Sequence, residues 1–331
     1  MRVLITGAAG QDGIILSTQL CRERHKIIGI IKPGGDPSLL MRYAPCVDVV
    51  ECDLADGDGL RKLVMDFGPE QIFNLGGISS IMGSYENPEQ TDLVNVGAIQ
   101  ALLDGMRLLS RKAGVAPRLV QAASGAVFES AKVAPQSETL ALAPRTPYAH
   151  SKAKAIRLLR TARESGLFGV SAILYNHESP LRGEQFVTRK ISRAVARIAR
   201  GQLSVLELGD IGVERDWGWA PDYVRAMRLM ATAEVPRDYV LGSGKSHRLT
   251  AFIRTAFRTV GIEDWRSFVT TSTAHKRPFD TTVLLGDSQL AYRELGWSHT
   301  IDFNQIVAIM VHHDLRLLDD PEYIWVIPEV V

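Results

Sequence analysis

Val3-Leu4-Ile5-Thr6-Gly7-Ala8-Ala9-Gly10-Gln11-Asp12-Gly13 begins as an apolar strand and continues into three glycines at i, i+3 and i+6. A strand that ends in such a turn and enters a helix lets backbone N–H groups and the helix dipole meet a pyrophosphate. Three glycines alone could be a structural turn. Their position between strand and helix makes a dinucleotide cradle the stronger reading, with Gly7, Gly10, Gln11, Asp12 and Gly13 as its residues.

The pattern outward from that turn fits. Short apolar runs recur at Val3-Leu4-Ile5, Ile27–Ile31, Val47–Val50, Gln71-Ile72-Phe73 and Arg118-Leu119-Val120, as expected of parallel strands buried on both faces. Helical periodicity lies between them near 13–24, 58–67, 90–112 and 149–165. Alternation of this kind predicts an α/β chain with a Rossmann-type, doubly wound parallel sheet. From about residue 176 the polar, turn-rich stretch Asn176–Gly183 breaks the rhythm. The expected division is a cofactor domain over 1–175, with segments of about 210–233 packing back onto it, and a smaller substrate lobe over 176–331.

Composition narrows the partners. With 38 basic against 37 acidic residues and 46% hydrophobic residues, the chain has no basic excess for nucleic acid or an anionic membrane, and no apolar run approaches a membrane span. The three cysteines, Cys21, Cys46 and Cys52, match no metal or redox spacing and are expected to be small buried hydrophobes in a cytoplasmic protein. His312 and His313 have no carboxylate or cysteine at ligand spacing, so no metal site is expected.

The end of the second strand, where cofactor choice is made, reads Ile31-Lys32-Pro33-Gly34-Gly35. Lys32, with no carboxylate before Asp36, leans toward the 2′-phosphate of NADP, with NAD as the alternative. Asp53-Leu54 and Leu75-Gly76-Gly77 follow the third and fourth strands, where adenine and the cofactor backbone would pass.

Tyr148 and Lys152 stand four residues apart at the head of a helix and therefore share a face. An ammonium beside a phenol is expected to favour phenolate, bringing the tyrosine toward a pKa at which it exchanges a hydroxyl proton during hydride transfer. Ser124, just after the fifth strand, is the expected hydroxyl partner.

These residues resemble the extended short-chain dehydrogenase/reductase superfamily. The longer stretches Thr6–Gly13, Asn176–Glu184, Phe186–Ile191, Arg215-Asp216-Trp217-Gly218 and Leu284–Asp287 look like the GDP-mannose 4,6-dehydratase family within it, over residues 2 to about 315. The resemblance implies that hydride leaves C4 of the sugar for NADP, water is lost across C5 and C6, and hydride returns to C6. It further implies Tyr148 as the base at the C4 hydroxyl, Lys152 as the cofactor-holding lysine, and Ser124 as their hydroxyl partner. His177 and Arg182 would contact the cofactor, while Ser79, Asn176, Val187, Lys190, Arg215 and Arg277 would line the GDP-sugar end.

Two departures follow from the same resemblance. The family's catalytic glutamate, two positions after the hydroxyl residue, is replaced by Ala126, and Glu129, three residues on, is expected to point to the opposite face of an extended chain. The loop after the second strand is short and lacks the family's arginines, so a homodimer formed by the helices near 90–112 and 149–165 is favoured over the family's tetramer. Ala126 also leaves open an epimerase or reductase confined to C4, or a catalytically impaired binding paralogue.

Overall fold

The computed structural model describes residues 1–114, 116–272 and 284–329. The first half alternates β1 (Arg2–Thr6), α1 (Gln11–Arg22), β2 (Lys26–Ile31), α2 (Ser38–Tyr43), β3 (Val47–Glu51), α3 (Gly57–Phe67) and β4 (Gln71–Asn74). It continues with α4 (Ile81–Glu86), α5 (Pro88–Asp92), a π turn (Leu93–Gly97), α6 (Ala98–Ala113), β5 (Arg118–Ala122), α7 (Pro147–Glu164) and β6 (Phe168–Leu174). The expected helix over 90–112 is thus split, with Asn95 in its π turn bonding both backbone groups of Ile78.

After β6 come β7 (Asn176–Glu178), α8 (Val187–Ala199), β8 (Leu206–Leu208), β9 (Glu214–Trp219), α9 (Ala220–Thr232), β10 (Tyr239–Leu241) and β11 (Ser246–Arg248). α10 (Leu249–Thr259), β12 (Val269–Thr271), α11 (Gln289–Leu295) and α12 (Phe303–Asp319) complete the order. Seven strands form one sheet in the order β10-β6-β5-β4-β1-β2-β3, and every neighbouring pair in it is parallel. This is the doubly wound α/β fold that the alternation of elements predicts. Two small sheets, β11-β9-β7 and β12-β8, lie outside it.

The period of two along a strand explains why β1 has no polar side. Val3 and Ile5 join the core that also holds Ile14 and Ile15 of α1 and Val224 and Met227 of α9. Leu4 faces the other way, with Leu60 and Val64 of α3, Leu102 and Met106 of α6, and Leu159 of α7. Helix starts are fixed by side chains: Asp56 accepts from Gly59 N at 3.0 Å, and Thr146 accepts from Ala149 N at 3.1 Å ahead of Pro147.

Two cysteines depart from expectation. Cys21 at the end of α1 and Cys46 before β3 form a disulfide, with Cα atoms 5.9 Å apart, while Cys52 is free and buried. Their separation of 25 residues carries no recognised spacing, and it is the packing of α1 beside α2 that brings them together. Among the described residues no helix is long and apolar enough to cross a membrane.

Candidate active site

A cleft of about 1180 Å³ opens along the C-terminal edge of the large sheet, where the β1, β2, β4, β5 and β6 ends meet the β7–α8 segment, β9 and α12. At its floor the turn after β1 is shaped by what glycine lacks. Gly7 has φ +65°, and a Cβ there would lie 2.7 Å from the backbone of Gly76 at the end of β4. A Cβ on Gly13 would lie 2.4 Å from the carbonyl oxygen of Gly7, so α1 can seat against β1 only with glycine at that place.

Gly10, by contrast, faces the cleft as the N-cap of α1, and among the described residues no side chain bonds the first N–H groups of that helix. A helix start without a capping side chain is the donor set that a pyrophosphate takes. The residues present therefore fit a nicotinamide dinucleotide. Lys32 lines the cleft beyond β2, and Leu54, Leu75, Gly76 and Gly77 line it beyond β3 and β4.

Asp12 and Gln11 in the first turn of α1 hold the opposite wall. Asp12 Oδ2 lies 2.9 Å from His177 Nε2, Gln11 Nε2 donates to the His177 carbonyl at 3.1 Å, and Ser179 Oγ donates to Gln11 Oε1 at 2.8 Å. The His177 ring stacks on Tyr223 at 4.7 Å. Burial disfavours charge on both partners, but their mutual attraction prevails: Asp12 is held below the usual carboxylate range and His177 above the usual imidazole range. Arg182 lies 3.6 Å over the Phe186 ring, with Nε 3.3 Å from the Glu178 carboxylate.

Ser124, Tyr148 and Lys152 converge between these walls. Tyr148 and Ser124 both line the cleft, and Lys152 Nζ lies 5.9 Å from the centre of the tyrosine ring while donating to the Ala122 carbonyl at 2.9 Å. The direction of the phenol's shift corrects the expectation from spacing. Burial raises Tyr148 above 10.0, the Ser124 hydrogen bond and Arg182 pull it back, and Glu129 pushes it up again. Burial lowers Lys152 to about 8, so the ammonium lies close to its own titration.

The turn after β5 corrects a second expectation. Gly125–Phe128 is a 3₁₀ turn rather than extended chain, with Ser124 accepting from Ala126 N at 3.2 Å and Glu129 N donating to the Ala126 carbonyl at 3.0 Å. Side chains at i and i+3 of a 3₁₀ turn eclipse, so Glu129 shares a side with Ala126, and both line the cleft. A glutamate followed by no glycine or proline gives no local signal for that turn.

Of the remaining expected residues, Ser79, Asn176, Val187 and Arg215 line the cleft. Asp53 does not: its carboxylate accepts from Ala55 N at 2.9 Å beside the β3 end. Lys190 is exposed on α8 and does not line the cleft, whereas Val187, Thr188 and Arg189 before it do. Arg277 lies outside the described residues.

Several wall residues carried no sequence signal. Arg42 and Tyr43 come from the short α2, and Arg189, His313 and Tyr323 approach from α8, α12 and the segment after it. His313, beside the Arg189–Asp314 ion pair, is lowered to about 4, by burial first and by Arg189 second.

Comparison with known proteins places these features in a family. The family model described as GDP-mannose 4,6 dehydratase matches residues 4–310. GDP-mannose 4,6 dehydratase 1 of Arabidopsis thaliana is 38% identical over 95% of this chain and 90% of its own length. Among solved structures, the UDP-glucose 4-epimerase of Thermotoga maritima with UDP-glucose has a TM-score of 0.83 at 23% identity, over 96% of this chain and 100% of that one. RMD from Pseudomonas aeruginosa, complexed with NADPH, has a TM-score of 0.75 at 22% identity, over 95% and 97%.

Proposed function

Because the chain belongs to the GDP-mannose 4,6-dehydratase family, we propose that it is a nucleotide-sugar lyase that takes GDP-mannose or a related GDP-sugar and removes water across C5 and C6. The observation that carries this reading is the convergence of Ser124, Tyr148 and Lys152 with the glycine turn in one cleft. NADP, with NAD as the alternative, supplies the hydride acceptor and donor. Gly10 and the start of α1 would hold its pyrophosphate, Lys32 its 2′-phosphate, and His177 and Arg182 the nicotinamide end.

Tyr148 takes the proton of the C4 hydroxyl, and Ser124 shares the hydrogen bond to the same oxygen as it becomes a carbonyl. The presence of both in one cleft supports a shared reacting atom. The Lys152 ammonium, fixed by the Ala122 carbonyl, supplies positive charge beside the phenol and a donor to the nicotinamide ribose. Arg215, Asn176, Val187 and Ser79 surround the space left for the sugar nucleotide, with the guanidinium suited to the diphosphate.

The lobe after residue 176 is the sugar-nucleotide side in this reading, and the segments before it carry the cofactor. A homodimer through α6 and α7 accords with the apolar Leu93 and Leu108 left exposed on that side and with the hollow bounded by Val96, Leu103 and Leu158. Work in the cytoplasm accords with the substrate and cofactor classes.

The test is turnover of GDP-mannose in deuterated water followed by NMR. A 4-keto-6-deoxy product with deuterium at C5 is expected. An epimer that has kept its C6 hydroxyl would refute the dehydratase reading.

A further inference from the structure

We propose that Glu129 is the acid–base that removes the C5 proton and then hands it to the departing C6 hydroxyl. The inference rests on the dehydratase reading and deepens it. Once C4 is a carbonyl, loss of water from the neighbouring carbons needs one group to take a proton from C5 and one to give a proton to the C6 oxygen. Ala126 can do neither.

Other carboxylates on the cleft wall are engaged elsewhere. Asp12 is paired with His177 at 2.9 Å, and Glu178 accepts from Thr188 Oγ1 at 2.6 Å and faces Arg182. Asp216 is bound by the backbone of Ser243, Gly244 and Gly286, and Asp36 turns back to Ser38 N at 2.8 Å. Glu184 is an exposed partner of Arg193.

Glu129 is anchored as well, but it is the cleft carboxylate that stands on the Ser124 turn. It lines the same cleft at only 5% exposure, on the same side of the 3₁₀ turn as Ala126, and its charge acts on the Tyr148 phenol. Oε2 accepts from Thr146 N at 3.0 Å and Arg145 N at 3.3 Å, which fixes the carboxylate at the start of α7. Oε1 has the Thr146 hydroxyl at 3.3 Å, a long contact that leaves it lone-pair capacity for a proton.

The step balances. Glu129 carboxylate takes the C5 proton, and the electron pair of the C5–H bond passes onto the C4 oxygen, held by Ser124 and Tyr148. That pair returns to form the C5–C6 double bond as the C6–O bond breaks. Glu129 delivers its proton to the leaving oxygen, water departs, and the residue is again a carboxylate.

The experiment compares Glu129→Gln with the wild-type protein, both with bound cofactor, using GDP-mannose in deuterated water. Cofactor reduction is read by absorbance and product by NMR. A glutamine oxygen still accepts from Arg145 N and Thr146 N, so C4 oxidation and the thermal midpoint are expected to persist. Product formation should fall about 10²-fold or more, and C5 should stay free of deuterium.

Loss of cofactor reduction in step with product would show that Glu129 only props α7, and would overturn the proposal. So would a variant that forms deuterated product within a few-fold of the wild-type rate. The double variant Glu129→Gln, Ala126→Glu returns a carboxylate to the same side one turn earlier. Recovery of product by at least tenfold over Glu129→Gln supports the requirement for a carboxylate on that face. A wild-type protein that reduces its cofactor with GDP-mannose but releases no 4-keto-6-deoxy sugar removes the dehydratase reading itself, and the role of Glu129 with it.

Discussion

Two turns at the C-terminal ends of parallel strands of one sheet build this cleft in opposite ways. The turn after β1 acts through missing side chains: Gly7 and Gly13 let backbone approach backbone, and Gly10 leaves the first N–H groups of α1 bare. The turn after β5 acts through side chains that line the cleft, with Ser124 before it and Glu129 just past its end, on the side of Ala126. The first turn offers donors to a charge that a cofactor brings with it, whereas the second supplies groups that themselves exchange protons. Damage to one should therefore appear in binding and stability, and damage to the other in turnover.

The largest break expected is at the second turn's partner helix. Tyr148→Phe removes the phenolic oxygen from the cleft while leaving the ring in place. C4 oxidation should drop about 10²–10⁴-fold. Cofactor content and thermal midpoint should stay near wild type, measured by absorbance of the purified protein and by calorimetry. A phenylalanine variant that reduced its cofactor at the wild-type rate would remove Tyr148 from the chemistry.

At the first turn the order reverses. Gly13→Ala forces a methyl to within 2.4 Å of the Gly7 carbonyl oxygen and 2.6 Å of the Ala8 backbone, so α1 must shift. About 1–3 kcal/mol of stability should be lost, together with most of the bound cofactor, because the helix start moves with the helix. Denaturant unfolding with cofactor content measures both. Unchanged stability would mean that α1 is not wedged against β1 at that glycine.

The two turns also differ in what the sequence discloses. Glycine at i, i+3 and i+6 after an apolar run is a local pattern, and β1, α1 and the parallel sheet follow from it and from the spacing of the later runs. The turn after β5 has no such pattern: Ala126 and Glu129 are three residues apart, and whether they face the same way depends on a 3₁₀ conformation that Gly125–Phe128 does not announce. An extended reading sends Glu129 away from the cleft, and that single difference in period separates a missing acid–base from a displaced one. Arg189, His313 and Tyr323 were hidden for another reason. They reach the cleft only when α8, α12 and the segment after it pack together, so no local window contains them.

Lys152 links the comparison to pH. It stands on the chemical side of the cleft, and burial lowers it to about 8. The cationic form is the one that can donate to a ribose and support the phenol, so kcat/KM should fall about tenfold per pH unit above that value. Lys152→Arg, whose charge persists to far higher pH, should move the alkaline limb upward even where its maximal rate is reduced. An alkaline limb that stays in place in the arginine variant would assign it to another group.

The smallest effect should come from Gly10, and it separates cradle from wedge within the first turn. Its φ of −81° and ψ of 170° suit any residue, and the nearest atom to an added Cβ is the Gly7 carbonyl oxygen at 3.2 Å. Gly10→Ala should therefore cost about 0.5–1 kcal/mol, as alanine is a poorer N-cap than glycine, well under the loss at Gly13. Because Gly10 faces the cleft where the pyrophosphate would lie, its variant should still show a measurable drop in cofactor retained through purification. If Gly10→Ala destabilised the protein as much as Gly13→Ala, both glycines would serve packing, and the bare start of α1 would lose its claim to be shaped for an anion.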